Sequence, residues 1–324
     1  RNRDGQPQLI SGDLYARHFR VFADSMRRAA QDVGSTIRIG AVLYDSDPQS
    51  WNTDAVKGWN SGMIPGLGGK NDFYVVHSYV TPYGQNSDAA TILSAAASEP
   101  ARLITYSRST LQKYGAEEKP IALTEWNMWA SGSMQQVSNV SGLFAVIIQG
   151  EAIRNGFGLT TRWDLLNGWS NGNDHGLFSD GGEPGVQKWT PRPSFYYMYY
   201  FQRTIGDRLI PSTSSSPGLK TYASSYSSGE VAVAIVNTAS TAQTVQLQLS
   251  NFKPGERMYW YTLEGGSDNG EFSRRVSVNG STTSAAAGGP PDYATLPARS
   301  ARTAGGMRVS IPGRGAAFVL LDKK

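Results

Sequence analysis

The alternation of short apolar segments with longer helix-forming segments most restricts how the first 205 residues can fold. The sequence predicts β-strands at 37–43, 73–79, 120–125 and 158–164, and helices at 12–32, 87–114, 134–155 and 194–201. Strands that are separated by helices pair in parallel, with right-handed crossovers. We therefore expect a parallel α/β sheet, with polar loops at 45–69 and 167–187.

A change of pattern after residue 205 predicts a second domain. A stretch rich in Ser, Thr and Pro at 211–217 is followed by short alternating segments without helices between them, which is typical of an antiparallel β-sandwich. The Ser, Ala, Gly and Pro of 280–305 predict a mobile loop. The predicted domains are 1–205 and 206–324, with strands at 220–226, 230–237, 244–249, 257–262, 274–278, 307–311 and 317–321.

Composition excludes several classes of function. The chain has no cysteine, so disulfides, thiolate metal sites and cysteine nucleophiles are excluded. A net charge of +4 over 324 residues, without a run of like charges, gives no basis for nucleic-acid binding. We also expect no membrane partner, because no apolar stretch approaches the roughly 20 residues of a membrane helix. The opening Arg1–Gly5 has no initiator Met or apolar signal region, which suggests a processed or internal start.

Three predicted strands end in residues that can do chemistry. These ends are His77-Ser78-Tyr79, Thr124-Glu125-Trp126-Asn127 and Arg162-Trp163-Asp164. The carboxyl ends of parallel strands meet at one edge, where α/β folds place their active sites. A carboxylate after an apolar strand is costly to bury unless it is hydrogen-bonded or reactive. We expect His77 and Tyr79 to donate hydrogen bonds to Glu125, and Trp163 to lie under a sugar ring, since aromatic faces bind the C–H faces of sugars.

These three motifs, in this order and followed by a β-sandwich, resemble the second half of a clan A glycoside hydrolase. The most similar families are the arabinofuranosidases, β-xylosidases and endoglucanase-like enzymes. Residues 12–205 resemble the last four strand–helix units of their (β/α)8 barrel, and 311–321 resemble the last strand of the accompanying sandwich. The resemblance implies that Glu125 is the nucleophile of a retaining mechanism, that His77 and Tyr79 orient it, and that Trp163 lines the sugar subsite.

The chain departs from the family pattern in one respect. The families carry their acid/base glutamate in an Asn-Glu pair after the fourth barrel strand, and the 324 residues contain no Asn-Glu pair. Only four of the eight barrel strands are predicted. We therefore expect a separate polypeptide to supply the first half of the barrel and the acid/base residue.

Further polar and aromatic residues follow the same strands. Asp164 and Asn127 are candidates for binding sugar hydroxyls. Asp45 and Asp47 either reach the cleft or form a turn, the turn being favoured. Asp174 and His175 resemble a metal-binding turn in composition only, and polar residues at the rim of the cleft are the favoured interpretation. No metal or cofactor is predicted. The aromatic residues expected to line or border subsites are Trp126, Trp129, Trp169 and Tyr83.

The leading hypothesis is thus a retaining glycoside hydrolase that acts on a polysaccharide or oligosaccharide, through β-linked sugars or arabinofuranosides. A non-catalytic carbohydrate-binding protein derived from such an enzyme is the alternative. A third hypothesis, sugar binding by the sandwich itself, depends on Tyr259, Trp260 and Tyr261. A secreted or periplasmic location is expected from the substrate class alone.

Overall fold

The computed structural model describes residues 9–130 and 132–324. Contacts between Cα atoms divide the chain into two compact units. The first unit holds the described residues up to Ser78, with Glu99–Trp126 and Asn155–Thr161, and the second holds Tyr79–Ser98, Asn127–Arg154 and Arg162–Lys324. The units are therefore not sequential, whereas the predicted domains 1–205 and 206–324 are, and that linear boundary stays a prediction.

The described residues form six α-helices and fifteen β-strands. The helices are α1 Gly12–Asp32, α2 Asp54–Lys57, α3 Trp59–Gly66, α4 Ala89–Lys113, α5 Asn139–Arg154 and α6 Pro193–Thr204. The strands are β1 Gly40–Val42, β2 Phe73–Tyr79, β3 Ile121–Asn127, β4 Leu159–Thr160, β5 Leu166–Asn167, β6 Phe178–Ser179, β7 Arg208–Ile210, β8 Leu219–Ser225, β9 Val231–Asn237, β10 Gln243–Gln246, β11 Pro254–Gly265, β12 Val276–Val278, β13 Arg299–Arg302, β14 Arg308–Ile311 and β15 Gly315–Lys323. None of these helices is long and apolar enough to cross a membrane.

The first unit is built on a four-stranded sheet in the order β1-β2-β3-β4. β1 pairs with β2 in parallel, with Gly40 opposite Phe73, and β3 pairs with β4 in parallel, with Ala122 opposite Leu159. The predicted parallel sheet is confirmed. The last residues of β2 and β3, Tyr79 and Asn127, belong to the second unit.

Helix α1 has the predicted bounds, and its N-terminal cap is Ser11. The side chain of Ser11 caps the helix by accepting a hydrogen bond from the backbone N–H of Leu14. Asp13 lies in the first turn, where its negative charge is favourable next to the helix dipole. Ala16, Phe19 and Ala23 form the buried side of the helix.

Several predicted bounds were wrong. The segment 45–69, predicted as a loop, contains α2 and α3. Thr53 caps α2 by accepting from the N–H of Val56, and α3 buries Met63 and Ile64 despite its Gly and Pro content. The fourth strand extends only over Leu159–Thr160, and the helix predicted from 134 begins at Asn139.

The second unit contains a seven-stranded sheet in the order β12-β11-β15-β9-β8-β7, to which β13 adds beside β11. The pairs β11–β15, β15–β9 and β9–β8 are antiparallel, so the predicted antiparallel sheet is confirmed. A second antiparallel pair, β10 with β14, contributes Val309 and Ile311 to a core that also contains Val233, Ile235 and Val319 of the larger sheet. The segment predicted as a loop at 280–305 includes β13, which corrects that prediction for Arg299–Arg302.

Helix α5 is buried along almost its whole length and packs closely against two tyrosines of the second unit. A Cβ atom added at Gly142 would lie 2.2 Å from the ring of Tyr197 on α6, and one at Gly150 would lie 2.5 Å from the ring of Tyr222 on β8. The Tyr222 hydroxyl donates a 3.0 Å hydrogen bond to Glu151, which anchors the helix to the strand. Small residues at these two positions therefore set the spacing between α5 and its neighbours.

We expect Gly142→Ala to lower the free energy of unfolding by about 1–3 kcal/mol, because the added methyl overlaps Tyr197 and this overpacking outweighs the better helix propensity of alanine. Urea denaturation measures the change. Gly305→Ala is the matched control, because no atom lies within 4 Å of its added methyl. Equal stability of the two variants would contradict the close packing of α5.

Candidate active site

Glu125 lies near the carboxyl end of β3, after the buried residues Ile121, Ala122 and Leu123. Its side chain retains 27% of its exposed surface, so the carboxylate is accessible. The Nδ1 atom of His77, on the neighbouring strand β2, lies 3.6 Å from Oε2 of Glu125. This is within ion-pair range but longer than a hydrogen bond. The structure thus brings together His77 and Glu125, two of the predicted catalytic residues.

The imidazole of His77 is held on its other side by Thr124. Nε2 of His77 lies 2.9 Å from Oγ1 of Thr124, and the backbone carbonyl of Thr124 accepts a 2.5 Å hydrogen bond from the hydroxyl of Thr161, which follows β4. The Thr124 hydroxyl on β3 thus holds the His77 ring of β2, and Thr161 ties the chain after β4 to the backbone of the same threonine. The sequence reading missed Thr124 and Thr161, although Thr124 stands in the motif that directed attention to Glu125.

Asp45, after β1, takes part in a separate polar cluster of the first unit. Arg102 makes two hydrogen bonds to Glu99, at 2.7 and 2.8 Å, and lies 3.8 Å from the Asp45 carboxylate. Ser78 also donates to Glu99, at 2.6 Å. Burial raises the pKa of Asp45, and the positive charge of Arg102 opposes that shift.

In the second unit, four aromatic rings form a cluster. The ring of Tyr79 lies 4.8 Å from Trp129 and 5.4 Å from His175, and Tyr83 lies edge-on to Trp129 at 4.9 Å. Tyr83 is 79% exposed and Trp129 is half-buried. Three residues predicted for the site therefore meet, together with His175.

Asn127 holds the backbone beside this cluster. Its Nδ2 donates to the carbonyl oxygens of Trp163, at 2.5 Å, and His175, at 3.4 Å, while its Oδ1 accepts from the N–H of Met128. Asn127 is completely buried, whereas Trp163 is 40% exposed. Asn127 thus fixes the backbone on which Trp163 stands, instead of presenting its amide to solvent.

The segment from Asp164 to Arg192 is held by buried charges. Arg192 forms ion pairs with Asp174 and Glu183, and all three side chains are almost completely buried. Arg274 contributes a second pair to Glu183, at 2.8 Å. Asp174 is therefore a buried ion-pair partner, which corrects its predicted position at the rim of a cleft.

Two predicted subsite residues are placed differently. Trp126 has no exposed surface, and a buried ring cannot stack on a sugar, which corrects the role predicted for it. Trp169 is half-buried, with the guanidinium of Arg192 5.9 Å from its ring centre. Asp164 accepts from Asn167 at 3.0 Å, and burial raises its pKa. In the described residues no cluster of three or more His, Asp or Glu side chains is arranged to hold a metal ion.

Comparison with solved structures shows which known folds the chain is similar to. The chain superimposes on the arabinose complex of an alpha-L-arabinofuranosidase from Thermotoga maritima with a TM-score of 0.64, at 18% identity over 96% of this chain. A thermostable GH51 alpha-L-arabinofuranosidase from Thermotoga petrophila gives 0.66 at 16% identity and 96% coverage. A bifunctional glucanase-xylanase from a metagenome library gives 0.60 at 14% identity and 95% coverage. The chain therefore shares the fold of the matched part of these three structures.

The similarity covers only part of each solved structure. The chain spans 62% of the length of both arabinofuranosidases and 60% of the glucanase-xylanase. No protein-family model matches the sequence, and no curated protein matches it either. At these identities the similarity shows the fold alone, and the reaction has to be argued from the residues.

We expect Arg192→Met to lower the free energy of unfolding by about 3–5 kcal/mol, because it leaves the carboxylate of Asp174 buried without its cationic partner and leaves Glu183 with Arg274 alone. Urea denaturation measures the loss. Arg27→Met is the matched control, since Arg27 pairs with Asp72 near the surface and such pairs contribute about 0–1 kcal/mol. Similar losses in the two variants would contradict the structural role of the buried ion pairs.

His175 predicts a pH dependence of stability. Burial, aided by the nearby charge of Arg162, lowers its pKa from 6.5 to about 4, so the unfolded chain binds this proton more readily than the folded chain. The contribution of neutral His175 to the stability of the folded state is therefore complete above pH 6.5 and is lost as the pH falls toward 4. Between pH 4 and pH 6.5, the urea concentration at the midpoint of unfolding should vary less with pH in His175→Gln than in the parent protein. An unchanged slope would show that the proton is taken up elsewhere.

Proposed function

We propose that the chain is the C-terminal part of a retaining glycoside hydrolase. In this proposal the parallel sheet is the second half of a (β/α)8 barrel in residues 1–205, and the antiparallel sheets of 206–324 form the accessory β-sandwich. The parallel order of β1 to β4 and the similarity to alpha-L-arabinofuranosidases support it. The accessible carboxylate of Glu125 beside His77, at the carboxyl ends of neighbouring parallel strands, is the observation that carries it.

Glu125 is the nucleophile in this mechanism. Its carboxylate attacks the anomeric carbon of the sugar and forms a covalent glycosyl-enzyme, while an acid protonates the departing oxygen; that same group then activates water to release the sugar. His77, held by Thr124, keeps the Glu125 carboxylate aimed at the anomeric carbon. Tyr79 follows His77 by two residues on the same strand, so both point to the same side of the sheet, and we assign it the same orienting role.

The substrate is an oligosaccharide or polysaccharide, with an arabinofuranoside or a β-linked sugar at the cleaved bond. Exposed and half-buried aromatic rings are the groups that stack on sugars, and we assign this role to Trp163, Tyr83, Trp129 and Trp169. Asp164 is the candidate acceptor for sugar hydroxyls. Asn127 is a positioning residue, because its amide holds the backbone of Trp163.

The acid/base carboxylate is proposed to lie outside these 324 residues, on a separate polypeptide that carries the first half of the barrel. The sequence contains no Asn-Glu pair, and the chain spans 62% of the arabinofuranosidases to which it is similar. We propose a secreted or periplasmic location, because an enzyme encounters polysaccharides outside the cytoplasm.

Covalent trapping tests the nucleophile. We expect the protein isolated from its source, treated with a 2-fluoro glycoside inactivator, to gain the mass of one fluorosugar on the peptide that contains Glu125. Glu125→Ala should lose the label and lower kcat by at least about 10⁴-fold, because no covalent intermediate forms. Glu256→Gln is the matched control, an exposed glutamate on β11, and should react normally.

Two results would overturn this assignment. Near-normal hydrolysis of an aryl glycoside by Glu125→Ala would show that another group attacks the sugar. Sugar binding without label or turnover in the unmodified protein would favour the non-catalytic carbohydrate-binding alternative.

Intact-mass analysis of the same preparation tests the divided barrel. The proposal requires a species of about 35.1 kDa together with a second polypeptide. A single longer polypeptide that contains both this sequence and an Asn-Glu pair would place the acid/base residue on the same chain. The proposal of two polypeptides would then be wrong, while the role of Glu125 would stand.

A further inference from the structure

A cavity in the first unit lies apart from the residues assigned to catalysis. It has a volume of about 350 Å³, within the range of about 300–1,000 Å³ that is usual for small-molecule sites. Neither Glu125 nor His77 lines it. Its walls come from the loop after β1, from α2 and α3, and from the second half of α4; the lining residues used below are Tyr44, Asp47, Lys57, Tyr106, Lys113 and Tyr114.

The rim of this cavity is built from hydrogen bonds that fix the loop after β1. The side chain of Asn60 accepts from the N–H of Tyr44 and donates to its carbonyl oxygen, both at 2.9 Å. The hydroxyl of Tyr106 donates to the carbonyl oxygen of Ser46 at 2.7 Å. Arg102 donates to the carbonyl oxygen of Asp45 at 3.0 Å. The cavity is therefore preformed, so the loop loses less conformational entropy when a ligand binds.

Two lysines give the cavity its charge. Lys57 ends α2 and Lys113 ends α4, where it stands 5.3 Å from the ring centre of Tyr114. In the described residues neither ammonium group has a carboxylate at ion-pair distance. Asp47 is the single acidic residue of the lining. The cavity thus offers two unpaired cations and one acceptor carboxylate to an entering molecule.

The remaining lining is aromatic. Tyr44, Tyr106 and Tyr114 are each half-buried, so part of each ring faces the cavity or its mouth. Aromatic faces pack on the C–H faces of sugar rings, Asp47 can accept from sugar hydroxyls, and ammonium groups bind carboxylates by charge-assisted hydrogen bonds. A simple inorganic anion would use only the lysines, and a neutral sugar would leave them unpaired.

We propose that this cavity is a second carbohydrate site, which binds a uronic acid residue of an acidic glycan. The sugar carboxylate lies between Lys57 and Lys113, the sugar ring packs against the tyrosines, and a ring hydroxyl donates to Asp47. The site does not require the chemistry assigned to Glu125, so it stands or fails separately from the proposed hydrolase.

Binding of tri-galacturonate tests the site. Its methyl ester, which lacks the carboxylate charges, is the control ligand. Calorimetry should be done on Glu125→Gln, in which slow hydrolysis does not disturb the titration. We expect the acid to bind at least about tenfold more tightly than the ester, because one charge-assisted contact contributes that much. Lys57→Met and Lys113→Met should each weaken binding of the acid by about tenfold and leave the ester unaffected. The matched control, Lys253→Met, removes an exposed lysine of the second unit and should change neither.

Each other outcome overturns the proposal. Equal affinity for acid and ester, or unchanged affinity in both lysine variants with folded circular dichroism spectra, would exclude recognition of the carboxylate in this cavity. Inorganic phosphate binding as tightly as tri-galacturonate would mean that the tyrosines contribute nothing. Absence of binding by both tri-galacturonate and galacturonate would show that the cavity holds no uronic acid.

Discussion

The parallel pairing of neighbouring strands is the constraint on which the candidate active site depends. It brings the carboxyl ends of β2 and β3 side by side, so that His77 stands 3.6 Å from the carboxylate of Glu125. The carboxylate follows buried aliphatic residues, and only its position at the end of the strand lets it keep access to water. The Thr124 hydroxyl, on the strand next to His77, holds its ring, and the Thr161 hydroxyl joins the chain after β4 to the backbone of Thr124.

The sequence allowed the order and direction of the main elements to be predicted, because apolar periodicity and chain order carry that information. Helix α1, β2 and the strands from β8 to β9 were placed within one or two residues. The two short helices after β1 were missed: α2 has only four residues and buries none of them, and in α3 Gly and Pro masked the buried Met63 and Ile64. The pairing of residues such as His77 with Glu125 was predictable, because both stand at strand ends.

What the sequence did not reveal is how buried polar groups are satisfied. Nothing in a linear pattern indicates that Asp174 pairs with Arg192, or that Asn127 uses its amide to hold the backbone of Trp163. Such contacts join residues that are 18 and 36 positions apart, and they depend on loop conformations set by tertiary packing. The same limit explains Trp126, which was predicted to line or border a sugar subsite but is buried in the core.

The tight seating of α5 and α6 on the antiparallel sheet has a consequence for dissecting the molecule. β9 is buried on both faces, and Ala234 lies between Tyr222 and Phe318 in its pairing with β8 and β15, with Phe318 stacked on Tyr200 of α6. A fragment that starts at residue 206 would lack α5 and α6, so this aromatic face would be exposed to water and the fragment would aggregate. A fragment that begins before α5 would retain the cover, so the autonomous folding module of this region is larger than its strands alone suggest.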